Sequence, residues 1–369
     1  MHEFTRTILN CIKSSPLEII VVTVLDCIDH VEELVHSIDP SIRVITAGQR
    51  NKRLQLRQAI PMIRSRITIL ADDDVIWPDS LMAHVLAPFE DPKVGAVGTS
   101  QRIRKARHLS FVGRIWEYLG ACYIERRNFE NTATMHMDGG ISCLSGRTVV
   151  IRTPIIQSAE FLHGYCNETW NGNLLNADDD NYVTRFLVSH NWKICFQSSV
   201  EIETTLETNS KFLSQCLRWC RSNWRSNYKS IVLERHIWKK QPWSTYAVQV
   251  TTASCSLVHD PALIYSLYRA SENVSPLNRV RLMTSFLVWL VSCKAVKLVP
   301  HFARYPFDLV YFPITILFGY FHGLIKYYAL FTLSTSWGSR NDVNHSSVAL
   351  SEHETDVLDS EKTPLTSSG

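Results

Sequence analysis

Ile67-Thr68-Ile69-Leu70-Ala71-Asp72-Asp73-Asp74 is the stretch on which the reading of this chain turns. Five apolar or β-branched residues in a row carry the signal of a buried strand, and the run stops abruptly on three carboxyl groups. Ligands of open α/β sheets bind beyond the carboxyl ends of the strands, and that is where Asp72 would be delivered. An Asp triplet alone also suits a solvated turn or a helix cap. What makes it a candidate site is its position, because clustered carboxylate oxygens at a strand end suit a hard divalent cation. Side chains alternate along a strand, so Asp72 and Asp74 would share one side and Asp73 would face away.

The segments on either side fit a layered α/β domain. Phe4 to Ser14 reads as a helix, Leu17 to Leu25 as a strand of the parallel-sheet kind, Val31 to Ser37 as a helix and Ile42 to Thr46 as a strand. Arg50 to Arg64 has helical spacing with basic residues interleaved. Downstream, Asp79 to Phe89 reads as a helix, Val94 to Thr99 as a strand and Phe111 to Arg126 as a longer helix, and Gly139-Gly140 then breaks the chain. Asn181 to His190 reads as a helix, Trp192 to Phe196 as a strand and Phe212 to Tyr228 as a basic, aromatic helix. Alternating strands and helices predict an open sheet covered by helices.

After Tyr228 the composition changes. Arg221, Arg225, Lys229, Arg235, Lys239 and Lys240 form a basic cluster with Trp219, Trp224 and Trp238 among them, the pattern of an interfacial helix facing anionic lipid. Three uncharged or apolar stretches follow. Gln241 to His259 is marginal for a span, Leu282 to Pro300 qualifies if Lys294 and Lys297 snorkel, and Leu309 to Leu333 is the best of the three. The basic cluster places the preceding domain on the cytosolic side. Met1 to Asn10 carries charges and lacks the apolar core of a signal peptide, so insertion is expected from the C-terminal half. Asn341 to Gly369 is polar and expected to be disordered. The expected organisation is a cytosolic domain over 1–235, a membrane domain with two or three helices over 236–335 and a tail over 336–369.

A net charge of +3 over 369 residues leaves no nucleic-acid footprint. The ten cysteines include no C-x-x-C pair, which argues against a zinc or redox motif and for reduced, buried thiols. Asn167-Glu168-Thr169 and Asn273-Val274-Ser275 match the glycosylation sequon, a common pattern.

Two further motifs follow the Asp triplet in order: Asn176-Ala177-Asp178-Asp179-Asp180, then Gln215-Cys216-Leu217-Arg218-Trp219. A strand ending in D-x-D, a second acidic cluster, Q-x-x-R-W and then membrane-length apolar segments, in that order, resembles the processive, membrane-embedded family-2 glycosyltransferases. These include hyaluronan, chitin and cellulose synthases and the fungal polysaccharide synthases. The fungal group matches best, through Asn51-Lys52-Arg53, Cys143-Leu144-Ser145-Gly146-Arg147 and Trp337-Gly338-Ser339-Arg340.

The resemblance implies a Rossmann-like GT-A domain and a UDP-sugar donor whose diphosphate is neutralised by Mg²⁺ or Mn²⁺ on Asp72 and Asp74. Arg218, Lys52 and Arg53 would contact the diphosphate. Asp179 would be the general base, with Asp178 as runner-up. Trp219 and Gln215 would meet the acceptor, a growing β-linked polysaccharide, with Ser145 and Arg147 on a loop beside it. It implies an integral membrane enzyme with a cytosolic catalytic domain, inverting the anomeric centre.

In one respect the chain departs from that family. Its first strand corresponds to the family's second, and the strand it lacks is central, so unpaired edges are expected inside the domain. Asp26 sits near the family's uracil-contacting carboxylate, but the surrounding words differ. A non-catalytic or truncated relative serving as a membrane subunit, and a non-processive transferase making a glycolipid, are the alternative readings.

Overall fold

A computed structural model describes residues 2–106 and 108–334. The Trp337-Gly338-Ser339-Arg340 word and the tail over 336–369 lie outside the described residues. The first part runs α1 (His2–Lys13), β1 (Ile20–Val24), α2 (Ile28–Ile38), β2 (Arg43–Ala47), α3 (Lys52–Ala59), β3 (Ile67–Ala71), α4 (Leu81–Leu86), β4 (Val94–Ile103), α5 (Phe111–Asp138), β5 (Thr148–Arg152), α6 (Thr153–Gln157) and α7 (Ala159–Cys166). A small hairpin, β6 (Thr169–Trp170) and β7 (Asn173–Leu174), leads to α8 (Asp179–Ser189), β8 (Lys193–Thr204) and α9 (Lys211–Tyr228).

The strands form a split layer. β1 pairs in parallel with β2, while β3, β5, β4 and β8 form a separate mixed sheet in that order. β5 is antiparallel to both β3 and β4, and β4 is parallel to β8. The expected strand at 67–71 is found with those bounds. Thr148–Arg152 has no strand in the sequence reading above, yet it occupies the sheet's interior and makes the layer mixed rather than purely parallel. β4 is buried without interruption from Val94 to Gln101, as befits a strand covered on both faces. Along β5, Val149 and Ile151 pack with Leu144, Phe161 and Leu187 on one face, while Val150 packs with Trp77, Leu81 and Ile202 on the other. This is the two-residue period of a strand.

α5 runs twelve residues past its expected end at Arg126, because no helix breaker occurs before Gly139. It starts on Ser110, whose hydroxyl accepts from the Gly113 amide at 3.1 Å, and stops where Gly139 turns left-handed at φ 74°.

The C-terminal elements are α10 (Ile237–Lys240), α11 (Pro242–Ser244), α12 (Ser256–Ala270), α13 (Pro276–Ala295), α14 (Val299–Arg304) and α15 (Phe312–Phe331). Gln241 to His259 is broken into short helical turns with an extended residue at Ser254, so it makes no single span. Two stretches, Pro276–Arg304 and Pro306–Phe331, are long and apolar enough to cross a bilayer, with mean hydropathies of 1.7 and 1.4. α15 also packs along α9 through Phe318 and Phe212, which stack at 5.9 Å. The candidate span and the Q-x-x-R-W helix are thereby joined.

Candidate active site

All three acidic and aromatic motifs open onto one cleft of about 1240 Å³. The first reaches it from β3. The β3–β5 ladder continues one step beyond the strand, with the Asp72 amide donating to the Arg147 carbonyl at 3.0 Å. The chain then turns, so strand alternation no longer applies, and Asp73 lines the cleft with Asp72 and Asp74 instead of facing away. Asp74 accepts from the Thr205 hydroxyl at 2.9 Å. Its carboxyl pKa is raised, first by burial and then by the charges of Asp72 and Asp73, with the Thr205 bond opposing.

Lys52 connects the first motif to the second. Asn51 caps α3, its side chain accepting from the Arg53 and Leu54 amides, and this sets Lys52 at the mouth of the cleft. Its ammonium lies 2.6 Å from Asp72 Oδ1 and 3.3 Å from Asp179 Oδ2. Burial pulls the Lys52 pKa down, but Asp179 and Asp72 outweigh it and hold the pKa well above the ordinary value.

Asp179 is the first residue of α8. Burial pushes its pKa up, yet Lys52 and then Arg53 outweigh burial and keep it below the usual carboxylate range. Neighbouring Asp180 has its pKa raised, by burial and by the Asp179 charge. Asp178, the runner-up as base, is otherwise engaged. It sits in the left-handed region at φ 64° and is gripped by Arg225, with Nε and Nη2 at 2.6 and 3.0 Å from its two oxygens. Both side chains are nearly sealed from solvent. In this buried fork both Asp178 oxygens are committed to the Arg225 guanidinium.

The third motif faces the first across the cleft from α9. Trp219 stacks on Tyr123 at 5.0 Å, and the Arg147 guanidinium lies 5.6 Å from the indole centre. Arg147 also donates to Gln101 at 2.9 Å. Gln215 is buried, and its Oε1 has no hydrogen-bond partner among the described residues. A buried acceptor without a donor is costly, so at the cleft wall it is an open position for a hydroxyl. Ser145 and Arg218 line the same cleft.

Two expected residues lie elsewhere. Arg53 faces away from the cleft, fully buried, donating to the Tyr165 and Ala177 carbonyls at 2.7 Å each and pairing with Glu168 at 2.7 Å. It is a structural arginine, because α3 turns it inward one position after Lys52. Asp26 is 71% exposed, lies 3.4 Å from Arg50 and is not part of the cleft wall. Glu168, hidden in a sequon-like triplet, is the residue sequence reasoning missed. It pairs with Arg53, Arg185 and Lys229 and has its pKa held down to about 2, since these cations outweigh the effect of burial. No local pattern announces it, because its three partners come from α3, α8 and the helical turn just after α9.

The donor set fits a divalent cation shared with a substrate. Among the described residues no three His, Cys, Asp or Glu side chains converge into a cage. Asp72 and Asp74 offer hard oxygens, and a cation beside them would offset the burial, and then the neighbouring Asp72 and Asp73 charges, that raise the Asp74 pKa. A magnesium-type ion is commonly held by one or two carboxylates plus substrate phosphates.

Comparison with known proteins gives the family. The family profile described as "Glycosyltransferase like family 2" matches residues 1–222. A type 2 glycosyltransferase of Pyricularia oryzae is 49% identical over 345 residues, covering 92% of this chain and 71% of that protein. Hyaluronan synthase 2 of Rattus norvegicus is 27% identical over 229 residues, covering 60% of this chain and 39% of that one. A mannosyltransferase from Pyrobaculum calidifontis, solved in complex with GDP-Man and Mn²⁺, matches with 16% identity and a TM-score of 0.46, over 80% of this chain and 83% of that one. By the family profile and the 49% identical relative, the chain belongs to the nucleotide-sugar-dependent glycosyltransferases of family 2.

Proposed function

We propose that this protein is a membrane-bound inverting glycosyltransferase that moves a sugar from a UDP-sugar onto a β-linked polysaccharide, with Asp179 as general base. The observation that carries the reading is the Lys52 bridge. One ammonium touches both Asp72 and Asp179, which sets the donor-side carboxylates and the base on the same small volume. Asp72 and Asp74 would hold Mg²⁺ or Mn²⁺ with the diphosphate, and the ion would neutralise the leaving group's charge.

The chain's own residues do the rest. Trp219 offers a flat apolar face to the acceptor sugar, and Gln215 Oε1 accepts from one of its hydroxyls. Asp179 takes the proton of the attacking hydroxyl as its oxygen bonds to the anomeric carbon. The bond from that carbon to the diphosphate breaks, and UDP leaves with the electron pair. A single displacement inverts the centre, so an α-linked donor gives a β-linkage. Arg218 and Lys52 supply fixed positive charge to phosphate oxygens. The apolar stretches Pro276–Arg304 and Pro306–Phe331 would anchor the enzyme in a bilayer, with the catalytic domain on the cytosolic side.

Membranes carrying the chain, given Mn²⁺ or Mg²⁺ and a panel of UDP-sugars, should release UDP with one donor, and an Asp179→Asn control should not. Absence of release with every sugar, from protein shown to be folded and inserted, would overturn the reading. It would favour a second one, a non-catalytic synthase relative, which the break between β1 and β3 beside the donor carboxylates supports.

Two variants probe the assigned roles. Lys52→Met leaves burial to dominate at Asp179, so its pKa should rise. Transfer needs the ionised base, so the acid limb of the rate profile should move to higher pH; an unmoved limb would separate Lys52 from the base. Trp219→Ala should raise the acceptor KM about tenfold (~1.4 kcal/mol) without changing the donor KM, read from initial rates at varied acceptor.

A further inference from the structure

A second cavity, of about 490 Å³, shares no lining residue with the active cleft. One wall is a face of α5 that bears Glu117, Tyr118, Ala121 and Glu125. The end of β4, from Gln101 to Ile103, forms another, and α14 with the helical turn Pro306–Tyr311 closes the space.

Most charged groups around this cavity are paired. Arg304 donates to the two Glu201 oxygens at 2.7 and 2.9 Å, and Arg102 pairs with Glu201 at 3.5 Å and with Glu203. Asp308 meets Lys105 and His301 at 2.9 Å each. The two carboxylates on α5 differ. Glu117 and Glu125 are only 8% and 6% exposed, and among the described residues neither has an ion-pair partner. Glu117 accepts from the Ala106 amide at 2.6 Å. The Glu125 carboxylate accepts no hydrogen bond among the described residues, although it lines the cavity. Burial raises the pKa of both groups. At Glu125 the Glu201 charge adds to burial and Arg304 opposes it; at Glu117 the Ala106 bond and then the Lys105 charge oppose it.

A buried carboxylate without a counter-charge is costly. The remaining cation of the wall, Arg114, is exposed and screened by solvent. Around the closed part of the cavity, three cations (Arg102, Lys105 and Arg304) face five carboxylates (Glu117, Glu125, Glu201, Glu203 and Asp308). With His301 neutral, two positive charges are missing.

The spacing on α5 points to what would supply them. Glu117 and Glu125 are eight residues apart, about 12 Å along the helix axis. Ala121 lies midway, four residues from each, on the same side of the helix. Its short side chain leaves room between the carboxylates for a methylene chain, which Tyr118 and Ile124 would flank. An ammonium at each end of such a chain brings both the charge and the N–H donors that the carboxylates lack. A metal ion fits less well, because among the described residues no three acidic, His or Cys side chains converge. We propose that this cavity is an accessory site for a linear aliphatic diammonium ion of the polyamine class, held at its ends by Glu117 and Glu125. Gln101 lines the cavity and also holds Arg147 of the active cleft at 2.9 Å, so the site adjoins the acceptor side. The proposal does not rest on the catalytic reading, since binding is measured without turnover.

The test is calorimetric titration of the full chain in phosphatidylcholine nanodiscs, which offer amines no anionic lipid. Three probes are compared: diaminooctane, the shorter diaminopropane, and aminooctanol, which keeps the length with one ammonium. Diaminooctane should bind about tenfold or more tightly than either of the others, and Glu125→Gln should weaken it by about tenfold or more. Ala121→Leu, which keeps both carboxylates and fills the space between them, should weaken it as well. Absence of binding, equal binding of the three probes, or unchanged affinity in either variant overturns the proposal. Thermal unfolding without any amine gives an independent reading. Loss of an unpaired carboxylate should leave the Tm of Glu125→Gln unchanged or raised. A lowered Tm, or a failure of that variant to fold, would mean that the folded chain already supplies Glu125 with a partner, and would equally overturn the proposal.

Discussion

Asp179→Asn is expected to lower the rate of sugar transfer by about 10²–10⁴-fold at saturating donor, the usual span for loss of a general base. The substitution keeps the shape of the side chain and a polar contact for Lys52, 3.3 Å away, but removes a carboxylate oxygen, the proposed proton acceptor. Donor binding should therefore persist, because Asp72 and Asp74 are untouched and Arg218 still lines the cleft. The measurement is UDP release alongside competition binding of the nucleotide sugar to the same preparation. A variant that binds donor normally and turns over within a few-fold of the parent would move the base elsewhere, first to Asp180, whose raised pKa comes from burial beside the Asp179 charge.

Glu168→Leu should destabilise the domain by about 3–5 kcal/mol, the range for breaking a buried ion pair from one side. Glu168 is the common partner of Arg53, Arg185 and Lys229, whose side chains are only 1%, 9% and 15% exposed. Removing the carboxylate leaves three cations with little water around them. The pH dependence agrees in size. A carboxyl held at about 2 against an ordinary 4.5 contributes about 3 kcal/mol. Because the folded value is the depressed one, this contribution is complete above pH ~4.5 and is lost as pH falls towards 2. Denaturant unfolding of the detergent-solubilised protein at neutral pH and at pH ~3 checks both statements, and the variant should lose most of the acid sensitivity assigned to this group. Arg53→Leu provides the contrast. If Arg53 is structural, its loss appears in stability while the donor KM of folded protein stays unchanged. A raised donor KM at unchanged stability would return Arg53 to the diphosphate.

The strand at 67–71 was legible because a short apolar run between polar residues has one common fate in a covered sheet. Thr148–Arg152 carries a similar β-branched signal, but short runs are ambiguous, and nothing local shows that this one enters the sheet antiparallel between β3 and β4. The adjacent pair Lys52 and Arg53 shows the limit more sharply. On a helix, neighbours lie about 100° apart, so one reaches the cleft while the other is turned into the core. Sequence adjacency and like charge suggested a shared role, and the orientation of α3 separated them.

By itself, the sequence determined the order of the motifs, the strand that delivers Asp72, the family, and two apolar stretches long enough to span a bilayer. All of these depend on contiguous patterns. Only the tertiary structure decided that Asp178 is tied to Arg225, that Arg53 belongs to Glu168, that Gln215 Oε1 is buried at the cleft wall, and that Thr148–Arg152 lies between β3 and β4 in the sheet. Each of these depends on partners brought together from distant parts of the chain. Burial then fixes the outcome, because a charge removed from water must find a partner.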